Sequence, residues 1–353
     1  EPVHEPRIGF YQAKTHDVVD CQDCLLQSEP AMAAAEAVRQ FMIEDNITSY
    51  DPRWDKGLMK HMIVKTAIGT GEVMVVLVIN GKGIPNAAKL VDMLDDAIYN
   101  VPVYEDGPLA GVEFNLESVV LNINKKNTSE ILGEECITIA GKPTILEEVA
   151  GMSFEISPLS FYQVNPVQTE KLYSLALSYA GLTGKETVWD LYCGIGTISL
   201  FLAKRAKKVY GVEIIEDAIR DAKENAVNNG IDNAEFFVGK AEEVLPDFYE
   251  KEVAAGRSAT ADVIVVDPPR KGCDNACLDT MLKMQPKRIV YVSCDSATMA
   301  RDLKILCEGG YELKKVRPVD QFAHTVHTEA IALLVKKVTY REEEIPDCAC
   351  IYG

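Results

Sequence analysis

Residues 187–200 read TVWDLYCGIGTISL. A short apolar strand ends at a glycine turn, Gly194-Ile195-Gly196, and an apolar helical stretch follows. Glycine lets the chain turn tightly there, and the helix behind it points its first amides at whatever lies beyond the strand. The pattern then recurs. KVYGVE (208–213) reads as the next strand, with a helix over 216–229. EFFV (235–238), DVIVV (262–266) and RIVYV (288–292) follow, then a terminal pair near 311–317 and 328–335, and a helix over 168–180 leads into the whole series. Apolar strands alternating with amphipathic helices predict a parallel, doubly wound α/β sheet, in which ligands bind beyond the carboxyl ends of the strands.

Upstream the pattern is mixed. Ser28-Glu29-Pro30 opens a helix whose apolar face runs through Ala34, Val38, Phe41 and Met42. KHMIVKTA (60–67) and GEVMVVLVIN (71–80) flank the turn Gly69-Thr70-Gly71 and predict a hairpin. Helical character returns over 86–98 and strand character over 112–123, with short strands over 131–157 around Gly133 and Gly141. Pro158–Pro166 is the expected junction. The division predicted is an α+β domain over 1–157, an α/β domain over 158–340 and an acidic tail over 341–353.

A chain of 353 residues, 47% hydrophobic and 25% charged, has the composition of a folded globular protein, and its length suits two domains. Its longest apolar run, Val73 to Ile79, is seven residues, against about 20 for a membrane span. With no secretory signal at the N-terminus, a cytoplasmic protein without membrane contact is expected, and a monomer. The net charge of −18 favours a small-molecule substrate over nucleic acid unless motifs say otherwise. Ten scattered cysteines form no disulfide framework. Cys21 and Cys24 make a single C-x-x-C, a weak metal signal because a zinc site wants a second pair, and Cys348 and Cys350 could be that pair only by an accident of folding.

Four elements carry the chemistry, each at a strand end. Asp190 and the glycine turn come first, with Ser199 in place of a third glycine, and Glu213 follows 23 positions after Asp190 at the end of the next strand. A carboxylate there accepts hydrogen bonds from ribose hydroxyls, so a nucleoside cofactor is expected, nicotinamide or S-adenosylmethionine. DPPR (267–270) is second: two prolines force the chain out of the sheet and hold Asp267 at the cleft. Third is Cys294, just before a helix that Asp295 or Ser296 caps. The positive helix end predicts a lowered thiol pKa. Fourth is Glu329 at the start of the final strand, a carboxylate able to take a proton near the thiol, with His324 and His327 before it in a spacing that matches no zinc motif.

DPPRKG (267–272), VSCDSATMARDL (292–303) and HTVHTE (324–329), with GFYQAKTHDVVD (9–20) and FYQVN (161–165), together resemble the RNA uracil-5-methyltransferase family, above all its 23S rRNA 5-methyluridine branch. The resemblance covers nearly the whole chain. It implies a Rossmann-like class I S-adenosylmethionine (SAM)-dependent methyltransferase domain preceded by a smaller RNA-recognition domain. It implies Cys294 as nucleophile, Glu329 as base and Asp267 beside the target base and cofactor. By the same match Gln163, Tyr192, Gly194 and Glu213 are expected to touch SAM. Members commonly begin with a TRAM barrel and a cysteine-rich loop for a 4Fe-4S cluster. The resemblance therefore makes this chain a fragment starting after both, with Cys24 as the last cluster ligand of the full-length protein. Lys240 stands where relatives often carry an adenine-facing Asn. Arg7, Lys14, Lys60 and Lys65 are candidate phosphate contacts for an RNA partner, rRNA favoured over tRNA.

The residue types suit that chemistry on their own terms. Carbon 5 of uracil is a poor nucleophile until a thiolate adds at carbon 6 and converts the ring to an enolate. A base then takes the carbon-5 proton so that the thiol can leave. A small-molecule methyltransferase or a dehydrogenase leaves Cys294 and DPPR without a task. A noncatalytic RNA-binding scaffold has no need of the thiol.

Overall fold

The computed structural model describes residues 6–107, 109–163, 165–256 and 261–337; the acidic tail lies outside them. The chain opens with a small hairpin, β1 (Gly9–Tyr11) and β2 (Val18–Asp20), followed by helix α1 (Glu29–Glu44). The helix begins where Ser28-Glu29-Pro30 predicts, although the Ser28 hydroxyl lies 2.9 Å from that of Thr66 and caps no amide. Strands β3 (Met59–Thr66) and β4 (Glu72–Ile79) form the expected antiparallel hairpin. Helix α2 (Ala87–Tyr99) then crosses over to β5 (Asn115–Ile123), which pairs parallel with β4, and β6 (Glu135–Gly141) closes the sheet in the order β3-β4-β5-β6. Val73–Ile79 is fully buried: Val73, Val75, Leu77 and Ile79 share a core with Phe41, Leu90, Leu94 and Ile98 of the two helices, while Met74 and Val76 face a second core.

A second hairpin, β7 (Ile145–Val149) and β8 (Met152–Ile156), packs on the other half of the molecule. Its backbone amides at Ser153 and Glu155 donate to the side-chain oxygens of Asn229 and Asn225. There α3 (Pro166–Ala180), β9 (Thr187–Leu191), α4 (Thr197–Ala203), β10 (Lys208–Glu213) and α5 (Glu216–Asn228) begin the alternation read from the sequence. It continues through β11 (Ala234–Val238), α6 (Ala241–Ala254), β12 (Val263–Val266), α7 (Asn275–Met284), β13 (Arg288–Ser293) and α8 (Ser296–Glu308). Strands β14 (Tyr311–Val319) and β15 (Glu329–Lys336) end it.

These seven strands form one sheet in the order β11-β10-β9-β12-β13-β15-β14. The first five run parallel; β15 is antiparallel to both its neighbours. Val263–Val266 is buried throughout, as a strand covered on both faces should be. From β9 the chain moves outward through β10 to β11, then returns to lay β12 on the other side of β9. The order reverses between β9 and β12, and such a switch point opens a crevice at the carboxyl ends of the two strands. Gly211 is required beside it: a Cβ there would lie 2.5 Å from the Phe236 ring and 2.9 Å from the Cys193 sulfur.

Candidate active site

At the end of β9, Asp190 is buried and its Oδ2 accepts from the Ser199 hydroxyl at 2.6 Å, while its Oδ1 has no partner. Burial, with repulsion from Asp267 added, pushes this carboxyl up to about 7. The glycine turn follows in the left-handed region at Tyr192 (φ 68°), Gly194 (φ 55°) and Gly196 (φ 81°). At the end of β10, Glu213 accepts from the Gly194 amide (3.2 Å) through one oxygen and from the Ile214 and Ile215 amides (2.8 and 3.1 Å) through the other. The carboxylate thus holds the two strand ends together. Tyr192, Gly194, Asp190 and Asp267 line one pocket, and Gln163 reaches it from the segment before α3. A Cβ built on Gly194 meets nothing, so the turn leaves open space where a ligand can approach its backbone.

Asp267 leaves β12 and burial pushes its carboxyl up to about 6. Glu329 is 3% exposed; burial first, then Asp267, pushes it up to about 8. Ser293 and Ala330 are register partners, so Cys294 and Glu329 emerge at the same sheet edge. Asp295 caps α8 through the amides of Ala297 and Thr298 at 3.0 Å, as its position before the helix predicts. The expected lowering of the Cys294 thiol pKa is not found. Burial raises it, and the neighbouring Glu329 and Asp267 charges raise it further, against smaller help from Arg270. Burial first, and then carboxylates arriving from two other strands, outweigh the helix end.

Helix α8 also fixes the loop that follows Asp267. Thr298 Oγ1 donates to the Arg270 carbonyl at 2.9 Å, and Arg301 donates to that of Lys271 at 2.9 Å. The buried Asp302 accepts from the Cys273 amide at 2.8 Å and the Tyr291 hydroxyl at 2.5 Å. One helix therefore positions both the thiol and the Asp-Pro-Pro loop.

The pocket suits a cationic nucleoside. It offers two carboxylates, Asp190 and Asp267, an unpartnered buried oxygen on Asp190 and an open glycine turn, acceptors that match a sulfonium compound with ribose hydroxyls and an ammonium group. Glu213 lies outside this lining, at the end of the neighbouring strand. A cluster is a different matter. Among the described residues no group of three His, Cys, Asp or Glu side chains could hold a metal ion, so Cys24 has no ligand set within them. His324 and His327 are exposed in the loop before β15.

Two candidate phosphate contacts are spoken for. Lys60 donates to the carbonyls of Asn124 and Lys126 at 3.2 and 2.8 Å and lies over the Tyr50 ring, and Lys65 donates to those of Ser157 and Ser160. Arg7 and Lys14 are exposed. Lys240 sits before α6 and pairs with Glu243 at 3.0 Å. Sequence reading passed over Gln321, whose buried amide donates to Thr169 Oγ1 at 3.0 Å and to Gln163 Oε1 at 3.4 Å. It thereby ties the pocket to the loop that delivers Glu329, a contact across 158 positions with no local signature.

Residues 144–337 match the family described as tRNA (uracil-5-)-methyltransferase, more than half of the chain. The chain belongs to the RNA uracil-5-methyltransferase family. As such an enzyme it is 46% identical over 338 residues to an uncharacterized RNA methyltransferase of Clostridium acetobutylicum, covering 96% of this chain and 69% of that one. It is also 46% identical over 329 residues to one of Halalkalibacterium halodurans, covering 93% and 67%. The methyltransferase therefore spans about two thirds of the length of these relatives. Among solved structures it resembles the tRNA (uracil-54, C5)-methyltransferase of Pyrococcus abyssi in complex with S-adenosyl-L-homocysteine, with TM-score 0.71 and 28% identity over 92% of this chain and 72% of that one. The doubly wound half is thus a class I methyltransferase fold, as expected. Among the described residues no helix is long and apolar enough to cross a membrane.

Proposed function

We propose that this enzyme methylates carbon 5 of a uridine in 23S rRNA, with SAM as donor and a covalent Cys294–uracil adduct as intermediate. The observation that carries this reading is the placement of Cys294 and Glu329 side by side at one edge of the sheet, with Asp267 beside both. Bound in the switch-point pocket, SAM supplies an electrophilic methyl group. Gln163, Tyr192, Gly194 and Glu213 hold it, and Asp267 faces both it and the target base. Cys294 adds to carbon 6, which makes carbon 5 nucleophilic. After methyl transfer Glu329 removes the carbon-5 proton and the thiol departs by elimination. The target base leaves its stack to reach the cleft. The net charge of −18 works against RNA binding at long range, and the exposed Arg7 and Lys14 are the candidate basic groups left to meet phosphates locally.

The test is RNA carrying 5-fluorouridine, incubated with SAM and run on a denaturing gel. Fluorine at carbon 5 cannot be removed as a proton, so the covalent route leaves a stable protein–RNA band that Cys294→Ala lacks. No band in the wild type removes the covalent mechanism. A tRNA substrate is the second reading, favoured by the family description and by the Pyrococcus abyssi enzyme. Methyl incorporation into 23S rRNA and tRNA transcripts, compared side by side, separates the two. Rapid methylation of free uracil or of another small molecule, with RNA inert, would support the small-molecule alternative.

A further inference from the structure

Lys65 belongs to β3 of the four-stranded sheet, yet its ammonium is spent on the chain segment that joins the two halves of the molecule. It donates to the carbonyl oxygen of Ser157 at 2.7 Å and to that of Ser160. The Ser160 hydroxyl in turn donates to Asp221 Oδ2 on α5 at 2.6 Å, and the Ser157 and Ser160 hydroxyls lie 2.6 Å apart. Ser157, Ser160 and Asp221 are all buried. A cation from one sheet and an anion from a helix on the other thus bracket four residues of chain. Phe161, Tyr162 and Gln163 follow at once and line the cofactor pocket.

The far end of the segment is held separately. Gln321 donates to the Asn165 carbonyl at 3.3 Å and to Gln163 Oε1 at 3.4 Å, and Asn165 Oδ1 accepts from the Gln168 amide at the start of α3. Between these anchors two carbonyls aimed at a single ammonium join the Ser160–Asp221 hydrogen bond in directing the chain into Phe161. Two acceptors converging on one cation fix the path of the chain, where a lone ion pair fixes only proximity.

We infer that Lys65 is a positioning residue for the cofactor: by gripping the Ser157 and Ser160 carbonyls and, through Ser160, Asp221, it sets the Phe161–Gln163 segment against the SAM pocket. The inference rests on the proposed reading of that pocket as the SAM site. Displacement of a binding segment by about 1 Å is enough to be felt in affinity and rate. A role in holding the two halves together, with no bearing on the pocket, is the alternative.

A double-mutant cycle with SAM as the titrated ligand distinguishes them, read by calorimetry on the full chain. Lys65→Met is expected to weaken SAM about tenfold, the scale of a lost charged hydrogen bond. Gln163→Ala weakens it as well, and Lys65→Met on top of Gln163→Ala adds less than about twofold, because the segment then has little left to misplace. Full additivity overturns the inference, as does wild-type SAM affinity in Lys65→Met. Should Gln163→Ala bind normally, the assignment of Gln163 fails on its own. The cycle is then closed with Phe161→Ala, and additivity there overturns the inference. If Lys65→Met does not fold, Lys65→Gln, which keeps one donor, takes its place in the same cycle.

Discussion

Cys294 and Glu329 stand across one strand pair: Ser293, just before the first, and Ala330, just after the second, are register partners in antiparallel β13 and β15. Cys294 follows β13, which runs parallel to β12, and Glu329 begins the antiparallel β15. Backbone pairing, rather than a loop, therefore sets their relation, and it puts the Glu329 carboxylate where, after burial, it raises the Cys294 thiol pKa.

The first expected outcome separates their tasks. Glu329→Gln leaves the thiol able to add and the methyl group able to transfer, but nothing removes the carbon-5 proton. A covalent protein–RNA species should accumulate on ordinary RNA, visible by denaturing electrophoresis, with turnover down by roughly 10²–10⁴-fold, the range of a lost general base. Normal turnover in this variant would assign the base elsewhere, His327 being the nearest alternative in sequence.

Thiol reactivity tests the electrostatics in the free protein. The Cys294 thiol is raised by burial, then by Glu329 and Asp267. Thiolate sets the alkylation rate, so reaction with iodoacetamide should be slow at pH 7 and climb through pH 9. Glu329 ionises near 8, and removing that charge in Glu329→Gln should move the climb to lower pH. Cys21, Cys24, Cys136 and Cys307 are also partly accessible, so the readout is peptide-resolved mass spectrometry. An unmoved curve would show that Glu329 does not act on the thiol.

A stability measurement checks the same group with the opposite sign. Glu329 has its folded pKa raised to about 8, so the folded state holds a proton that the unfolded chain releases near the ordinary value of 4.5. Its contribution therefore turns increasingly unfavourable as pH rises from about 4.5 to 8. Glu329→Gln should melt like the wild type at pH 5 and above it at pH 8.5, by a few degrees for each kcal/mol recovered. A constant difference across that range would deny the buried ionisation.

Glu213→Ala should weaken SAM by about 1.5–3 kcal/mol, since the ribose hydroxyls lose a charged acceptor. The same change frees the amides of Gly194, Ile214 and Ile215. Glu213→Gln keeps part of that scaffold and should fall between. Titration calorimetry showing wild-type affinity in the alanine variant would take Glu213 out of the site.

The sheet, the glycine turn, the Asp-Pro-Pro exit and the placement of Cys294 and Glu329 were legible because each is local: strand, breaker and helix sit within a few residues of one another. What escaped was set by distant partners. Lys65 reads as a surface cation until Ser157 and Ser160 arrive 92 and 95 positions later. The thiol's shift runs against the sequence expectation because the capping helix lies beside Cys294 in sequence, whereas its burial and the charges of Glu329 and Asp267 arise from tertiary packing. The helix start at Ser28 is local and legible, whereas the Thr66 hydroxyl that β3 brings to Ser28 is not. Nothing near Asp190 in sequence shows that one of its oxygens lacks a partner.

The reversed direction of β15 has a consequence for how such an enzyme can diversify. Because its first residue, not its last, lies at the catalytic edge, the chain must enter Glu329 from the solvent side, through the exposed stretch His324–Thr328. On the proposed reading, insertions or substitutions there can change which folded RNA is admitted while the strand pairing keeps Glu329 in register. Substrate choice and proton removal would then be adjacent in the chain yet separately heritable.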